Sequence, residues 1–236
     1  MPRLGTRKLY AMTKNSFPMK EIKLGRDALF AFLRKEHLLV TPRKSYTKTT
    51  NSKHWLKKHP NLLKETEVNR PEQIFVSDIT YLKAKEKTYY LSLVTDAYSR
   101  KIMGHNLSRG MEAESVAIAL DEAIKAKLTT EKTIHHSDRG LQYASNVYQQ
   151  KLKNAHMIPS MTDGYDCYQN ALAERMNGIL KQEFLFVGCQ NYKELRTVVK
   201  ESIEIYNSER PHLSLNMKTP NSVHKKAVRL PSQPDH

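Results

Sequence analysis

The sequence predicts an α/β protein, strands alternating with helices and preceded by a small basic helical arm. Three observations carry this. From Ile74 onward, short apolar runs with strand character alternate with amphipathic stretches, in the order strand, strand, strand, helix, strand, helix, strand, helix. The net charge of +15 is unevenly spread: residues 1–70 hold seventeen Lys/Arg against five Asp/Glu, and the remainder twenty-two against nineteen. Finally, isolated acids stand inside or at the ends of these apolar elements, where burial is costly unless the charge is paired or bound to metal.

Taken in order, the chain opens with a basic segment, helical from Gly5 to Met12, and a link at Pro18. Leu24–Glu36 has helical spacing, with Leu29, Phe32 and Leu33 on one side and Arg26, Arg34 and Lys35 on the other. A basic, threonine-rich stretch follows, interrupted at Pro42. Residues 1–52 therefore read as a helix-turn-helix-like, DNA-binding arm with Arg26, Arg43, Lys44 and Lys48 as contact residues. Residues 53–72, with Pro60 and Pro71, read as a linker, with room for one helical turn.

The core is expected over residues 73–224. Strands are predicted at Ile74–Leu82, Thr88–Thr95, Lys101–Leu107, Thr133–Ser137 and Met157–Met161. Helices are predicted at Glu112–Leu128, Asn146–Ala155, around Glu174, and at Tyr192–Tyr206. In the helix around Glu174, Leu172, Met176, Ile179 and Leu180 share an arc of about 100°. Glu174 and Lys181, seven apart, stack on the opposite side, and Glu183 falls inside the apolar arc, which predicts that the helix frays or turns there. Arg210, Pro211 and His212 end the last helix and read as a lock on the core. Residues 225–236, basic and then proline-rich, read as a flexible tail.

Asp78 lies mid-strand among Ile74, Phe75, Val76, Ile79 and Leu82; Asp138 sits where a strand ends; Glu174 rides a helix thirty-five residues later. Three hard oxygen donors, with no histidine or cysteine cluster at metal spacing, suit two Mg²⁺ or Mn²⁺ ions rather than zinc. Two such ions support phosphoryl transfer. Asp96, Asp163 and Asp166 read as turn residues. His136, two before Asp138, could orient the acids or handle a proton, and Arg139 could touch a phosphate.

The runs HHSDRGLQYAS, CYQNALAERMNGILKQEF and YNSERPHLSLNMKTP resemble the catalytic open reading frame of IS3-family insertion-sequence transposases, in the DDE transposase and retroviral integrase superfamily. The resemblance covers residues 74–223 and, more loosely, the arm. Gln169 departs from it, since many relatives carry an acid there. The resemblance implies an RNase H-like, five-stranded core, with Asp78, Asp138 and Glu174 as the catalytic, metal-binding acids and Lys181 on the DNA backbone or end base. It also implies element ends and target DNA as partners, fusion by frameshifting to the product of an upstream reading frame, and homo-oligomers on DNA. Two other readings remain at this level: a non-catalytic DNA-binding accessory, and an RNase H-like nuclease that cuts without joining.

Composition narrows the rest. Apolar runs fall short of the roughly 20 residues that span a bilayer, and the first ten residues lack the apolar stretch of a secretory signal. Cys167 and Cys189 read as free thiols in a reducing compartment. A cytoplasmic, nucleoid-associated protein is expected.

Overall fold

The computed structural model describes residues 1, 3–16, 24–40, 56–85, 87–163, 171–185 and 188–229. Arg43, Lys44, Lys48, Asp166, Cys167 and Gln169 lie outside the described residues. The arm supplies α1 (Thr6–Thr13) and α2 (Arg26–Lys35). The core runs β1 (Ile74–Ala84), β2 (Lys87–Asp96), β3 (Ile102–Ser108), α3 (Ala113–Ala126), β4 (Ile134–Ser137), α4 (Leu141–Ala144), α5 (Asn146–Asn154) and β5 (Ile158–Met161). It continues through α6 (Ala171–Ile179), α7 (Tyr192–Ser208) and α8 (Pro220–Arg229). Every core strand and helix expected from hydrophobic period is present within two or three residues.

The five strands form one sheet in the order β3-β2-β1-β4-β5. β1, β2 and β3 are antiparallel, whereas β4 and β5 join in parallel. The β1–β4 pairing is short: Ile74, Phe75 and Val76 face Ile134, His135 and His136. Beyond Val76 this edge of β1 has no strand partner among the described residues.

Alternation along the strands separates two apolar layers. On one face, Leu82, Leu91, Leu93 and Leu107 pack with Met176 and Leu180, and with Leu195, Val199, Ile203 and Tyr206 of α7. On the other, Phe75, Val94 and Met103 pack with Val116, Leu120, Tyr143, Tyr148 and Leu152. Gly104 of β3 is where α3 comes closest: a Cβ there would collide with the Ala119 carbonyl and the Ala123 amide, so only glycine lets the helix seat on the strand.

Three sequence expectations change. Phe32 is exposed, and Leu29 alone of its predicted stripe is buried. Residues 225–229 are not tail but the end of α8. The segment before β1 is tied to the core rather than loosely linking to it: the Leu62 amide donates to Ser160 Oγ, the Met161 amide to the Pro60 carbonyl, and Glu72 is wholly buried.

Glu72 anchors a charged cluster that clasps α8. Its carboxylate accepts from the Leu128 and Thr129 amides, and its amide donates to Asp96. His224 of α8, also wholly buried, sits 3.3 Å from both Glu72 Oε1 and Asp96 Oδ2. Burial and nearby Lys101 disfavour its protonation, but the bonds to Asp96 and Glu72 outweigh them and raise its pKa above 6.5. A raised folded-state pKa contributes stability fully below about pH 6.5 and loses it as pH climbs through the folded value. His224→Gln is thus expected to lower the melting temperature most near pH 6 and progressively less toward alkaline pH. Melting curves across that range check it, and a deficit that does not change with pH contradicts the clasp.

Candidate active site

The sheet register brings two of the three acids together. Because Val76 pairs with His136, Asp78 and Asp138 each follow two residues later on neighbouring strands and the same face. α6 crosses that face, held by Ala173 against Ile74, Val76 and Ala97, and by Met176 and Leu180 against the second apolar layer. This seating leaves Glu174 exposed.

The three carboxyl groups act on one another. Burial pushes Asp78 up to about 7, helped by the charges of Asp138 and Glu174, against hydrogen bonds from Asn177 and the Ile79 amide. Burial and Asp138 likewise raise Glu174. Asp138 Oδ1 accepts from the Gly140 amide at 3.0 Å, turning the chain from β4 into α4. Among the described residues, no three His, Cys, Asp or Glu side chains stand close enough to hold an ion. The donor chemistry fits a divalent cation all the same. The acids are hard oxygen donors that disfavour each other's charge, and a bound cation relieves that cost.

Asn177 completes the group, and sequence reasoning did not single it out. One turn beyond Glu174, it donates from Nδ2 to Asp78 Oδ2 at 2.7 Å, while its own Oδ1 is buried without a hydrogen-bond partner. The available signal was a buried amide next to Met176 on the helix that carries Glu174.

Lys181 is not simply solvated charge. Its ammonium lies 4.1 Å from the centroid of the Tyr81 ring, and burial lowers its pKa against the raising effect of Tyr81 and Asp78. The helix changes pitch here. Leu180–Phe184 is a π-helical turn, closed by the Leu185 amide on the Leu180 carbonyl at 2.9 Å. The helix thus turns at Glu183, the acid in the apolar arc, rather than fraying: Arg210 holds Glu183 through Nε and Nη2, each at 2.7 Å, and Lys8 of α1 adds a third bond at 2.8 Å. The Arg210-Pro211-His212 lock is real, with Arg210 Nη1 2.9 Å from His212 Nε2.

The remaining candidates are placed as follows. His136 is buried, with Nδ1 2.9 Å from Ser160 Oγ. Arg139 is half-buried next to Asp138. Arg26 pairs with Asp27 on the surface at 2.8 Å. Asp96 caps its own turn, accepting from the Ser99 amide at 3.0 Å, and Asp163 pairs with Lys64 at 2.6 Å.

A five-stranded mixed sheet flanked by helices is the fold of retroviral integrase cores, and solved structures share it. The HTLV-2 integrase catalytic core domain in complex with magnesium superposes with a TM-score of 0.54, at 22% identity over 66% of this chain and 97% of that one. A chain of the simian T-cell lymphotropic virus intasome in complex with PP2A regulatory subunit B56 gamma superposes with a TM-score of 0.62, at 19% identity over 98% of this chain and 78% of that one. The integrase core domain family matches residues 68–167, and a second family of that description matches 156–220. The insertion element IS600 uncharacterized 31 kDa protein of Shigella sonnei is 35% identical over 94% of this chain and 83% of its own length. The IS629 transposase of Shigella sonnei is 34% identical over 60% of this chain and 48% of its own. The putative transposase InsK for IS150 of Escherichia coli strain K12 is 34% identical over 68% and 58%. The chain belongs to the DDE transposases of the integrase superfamily. Among its described residues no helix is long and apolar enough to cross a membrane.

Proposed function

We propose that this chain is the catalytic frame of an IS3-type insertion sequence, cutting the element's ends and joining their 3′ hydroxyls to target DNA. The single observation that supports it best is that the charges of Asp138 and Glu174 add to burial in raising Asp78, and that of Asp138 adds to burial in raising Glu174, on an integrase-type sheet. In this reading the three carboxylates are the catalytic groups that hold two Mg²⁺ or Mn²⁺ ions. Ions bound there would activate the attacking oxygen and stabilise the leaving one. Asn177 fixes the Asp78 carboxylate, and Lys181 and Arg139 take DNA phosphates. The reaction has two steps. Water opens a phosphodiester at the element end to leave a 3′ hydroxyl, and that hydroxyl then displaces a 3′ oxygen from a target phosphodiester. Incubating pre-cut element ends with plasmid DNA and Mg²⁺ tests the reading. Joined products support it; nicking without joining points to a nuclease, and DNA binding without either points to an accessory protein.

The arm serves as a DNA-binding element and works with partners of the same kind: element ends, target DNA, further copies of this chain and the product of an upstream frame fused by frameshifting. Its charge of +12 over residues 1–70 predicts binding that weakens steeply with salt, by nearly one unit of slope per phosphate neutralised. Charge-neutral substitution of Arg43, Lys44 and Lys48 together is expected to lower that slope by about two to three units. A slope unchanged by the substitutions assigns DNA binding to the core.

A further inference from the structure

We propose that Tyr81 and Tyr90, flanked by Lys83 and Lys181, form a platform on which the unpaired end of a DNA strand stacks beside the acids. This deepens the functional reading above and rests on it. Tyr81 lies three residues past Asp78 on β1, beyond the last residue paired to β4, so it stands at an open edge of the sheet. Tyr90 is its direct partner across the β1–β2 ladder, and such partners share a face. Both rings are half-exposed, whereas Leu82 and Tyr89, on the other face, are buried. Lys83 continues the exposed face toward the hairpin end.

Lys181 comes from the helix packed on the opposite face and reaches Tyr81 past the open edge. The π-helical turn beginning at Leu180 sets its position. The result is two neighbouring aromatic surfaces between two lysines, a few residues from the acids. That combination suits single-stranded nucleic acid: bases stack on rings without regard to sequence, and ammonium groups follow the backbone. A lysine over a ring can move to a phosphate and uncover the ring for a base, because a single cation–π contact is weak. A duplex end keeps its bases stacked on each other, so the platform favours an end whose last nucleotides are unpaired. Tyr81 is a positioning residue in this account: it places the end, and the acids act on it.

The test uses the full chain and a duplex with a short unpaired 3′ end whose last base is 2-aminopurine, with the blunt duplex as control. The unaltered chain and Tyr81→Phe are expected to quench the fluorophore. Tyr81→Leu is expected to quench weakly and to lose about tenfold in affinity for the unpaired end, the loss of roughly one stacked base, with affinity for the blunt duplex unchanged. Full quenching by Tyr81→Leu, or an equal loss on both duplexes, overturns the proposal. Should Tyr81→Leu not fold, 5-iodouracil at the end base is photo-cross-linked to the unaltered chain. Attachment at Tyr81 or Tyr90 supports the platform, and attachment elsewhere overturns it. End joining is scored separately: if the unaltered chain stacks the base yet joins nothing, the functional reading fails and the platform stands.

Discussion

Asp78→Asn is expected to abolish end cleavage and joining, by at least about a thousandfold, while making the metal-free protein more stable. The loss follows from removing one of three acidic donors; the gain follows from its cost. In the free protein, burial and the charges of Asp138 and Glu174 raise Asp78 from 3.8 to about 7. An acid whose folded pKa is raised destabilises the fold once pH exceeds its unfolded value, and the penalty grows until the folded value is passed. An amide carries no such charge and can still accept the bond from Asn177. With a chelator present, the variant should therefore melt at a higher temperature than the unaltered chain, with a gap that widens from pH 4 to pH 8. Equal melting across this range contradicts strain at the site, and retained joining removes Asp78 from the chemistry. A site that costs stability to hold is the expected trade between stability and activity.

Arg210→Ala is expected to be the most destabilising single change outside the apolar core. Arg210 is almost wholly buried and holds Glu183 through two bonds from its guanidinium, so its loss leaves a buried carboxylate with only Lys8. Breaking a buried pair from one side costs about 3–5 kcal/mol. Burial opposes ionisation of Glu183, and the bonds from Arg210 and Lys8 overcome this and lower its pKa. The double variant Arg210→Met with Glu183→Leu removes both charges and should recover much of the loss. Denaturant unfolding of the two variants decides it, and a double variant no better than Arg210→Ala means the cost was packing rather than charge. Because Lys8 belongs to α1, the same cluster ties the arm to the helix that carries Glu174. Removing the arm is therefore expected to perturb the core.

Much of this was legible in the sequence, for physical reasons that differ between elements. The strands and helices of the core could be read because two apolar layers impose a period of two on β1 and 3.6 on α3 and α7. That Asp78 is costly to hold could be read because an acid amid Phe75, Val76 and Ile79 has no cheap explanation. The partner of Glu183 could not be read because it lies twenty-seven residues away in the chain. A change in the helix at Glu183 could be read from its place in the apolar arc, but its π-helical form could not, since it depends on how Glu183 and Phe184 are received by α7 and Arg210. Asn177 and Tyr81 were missed because an amide on a helix and a tyrosine in a strand are ordinary; only their neighbours, Asp78 and Lys181, give them roles. The segment before β1 looked like a linker because Glu72 and Pro60 reveal their partners, His224 and Met161, only in three dimensions.

The central claim is that Asp78, Asp138 and Glu174 form one divalent-metal site. Anomalous diffraction from crystals of the full chain with element-end DNA, soaked in Mn²⁺, tests it most directly. The account predicts manganese peaks lying between these three carboxylates and absent from crystals of Glu174→Gln. Manganese bound at the other acidic pair, Glu72 and Asp96, with none beside Asp138, would contradict it.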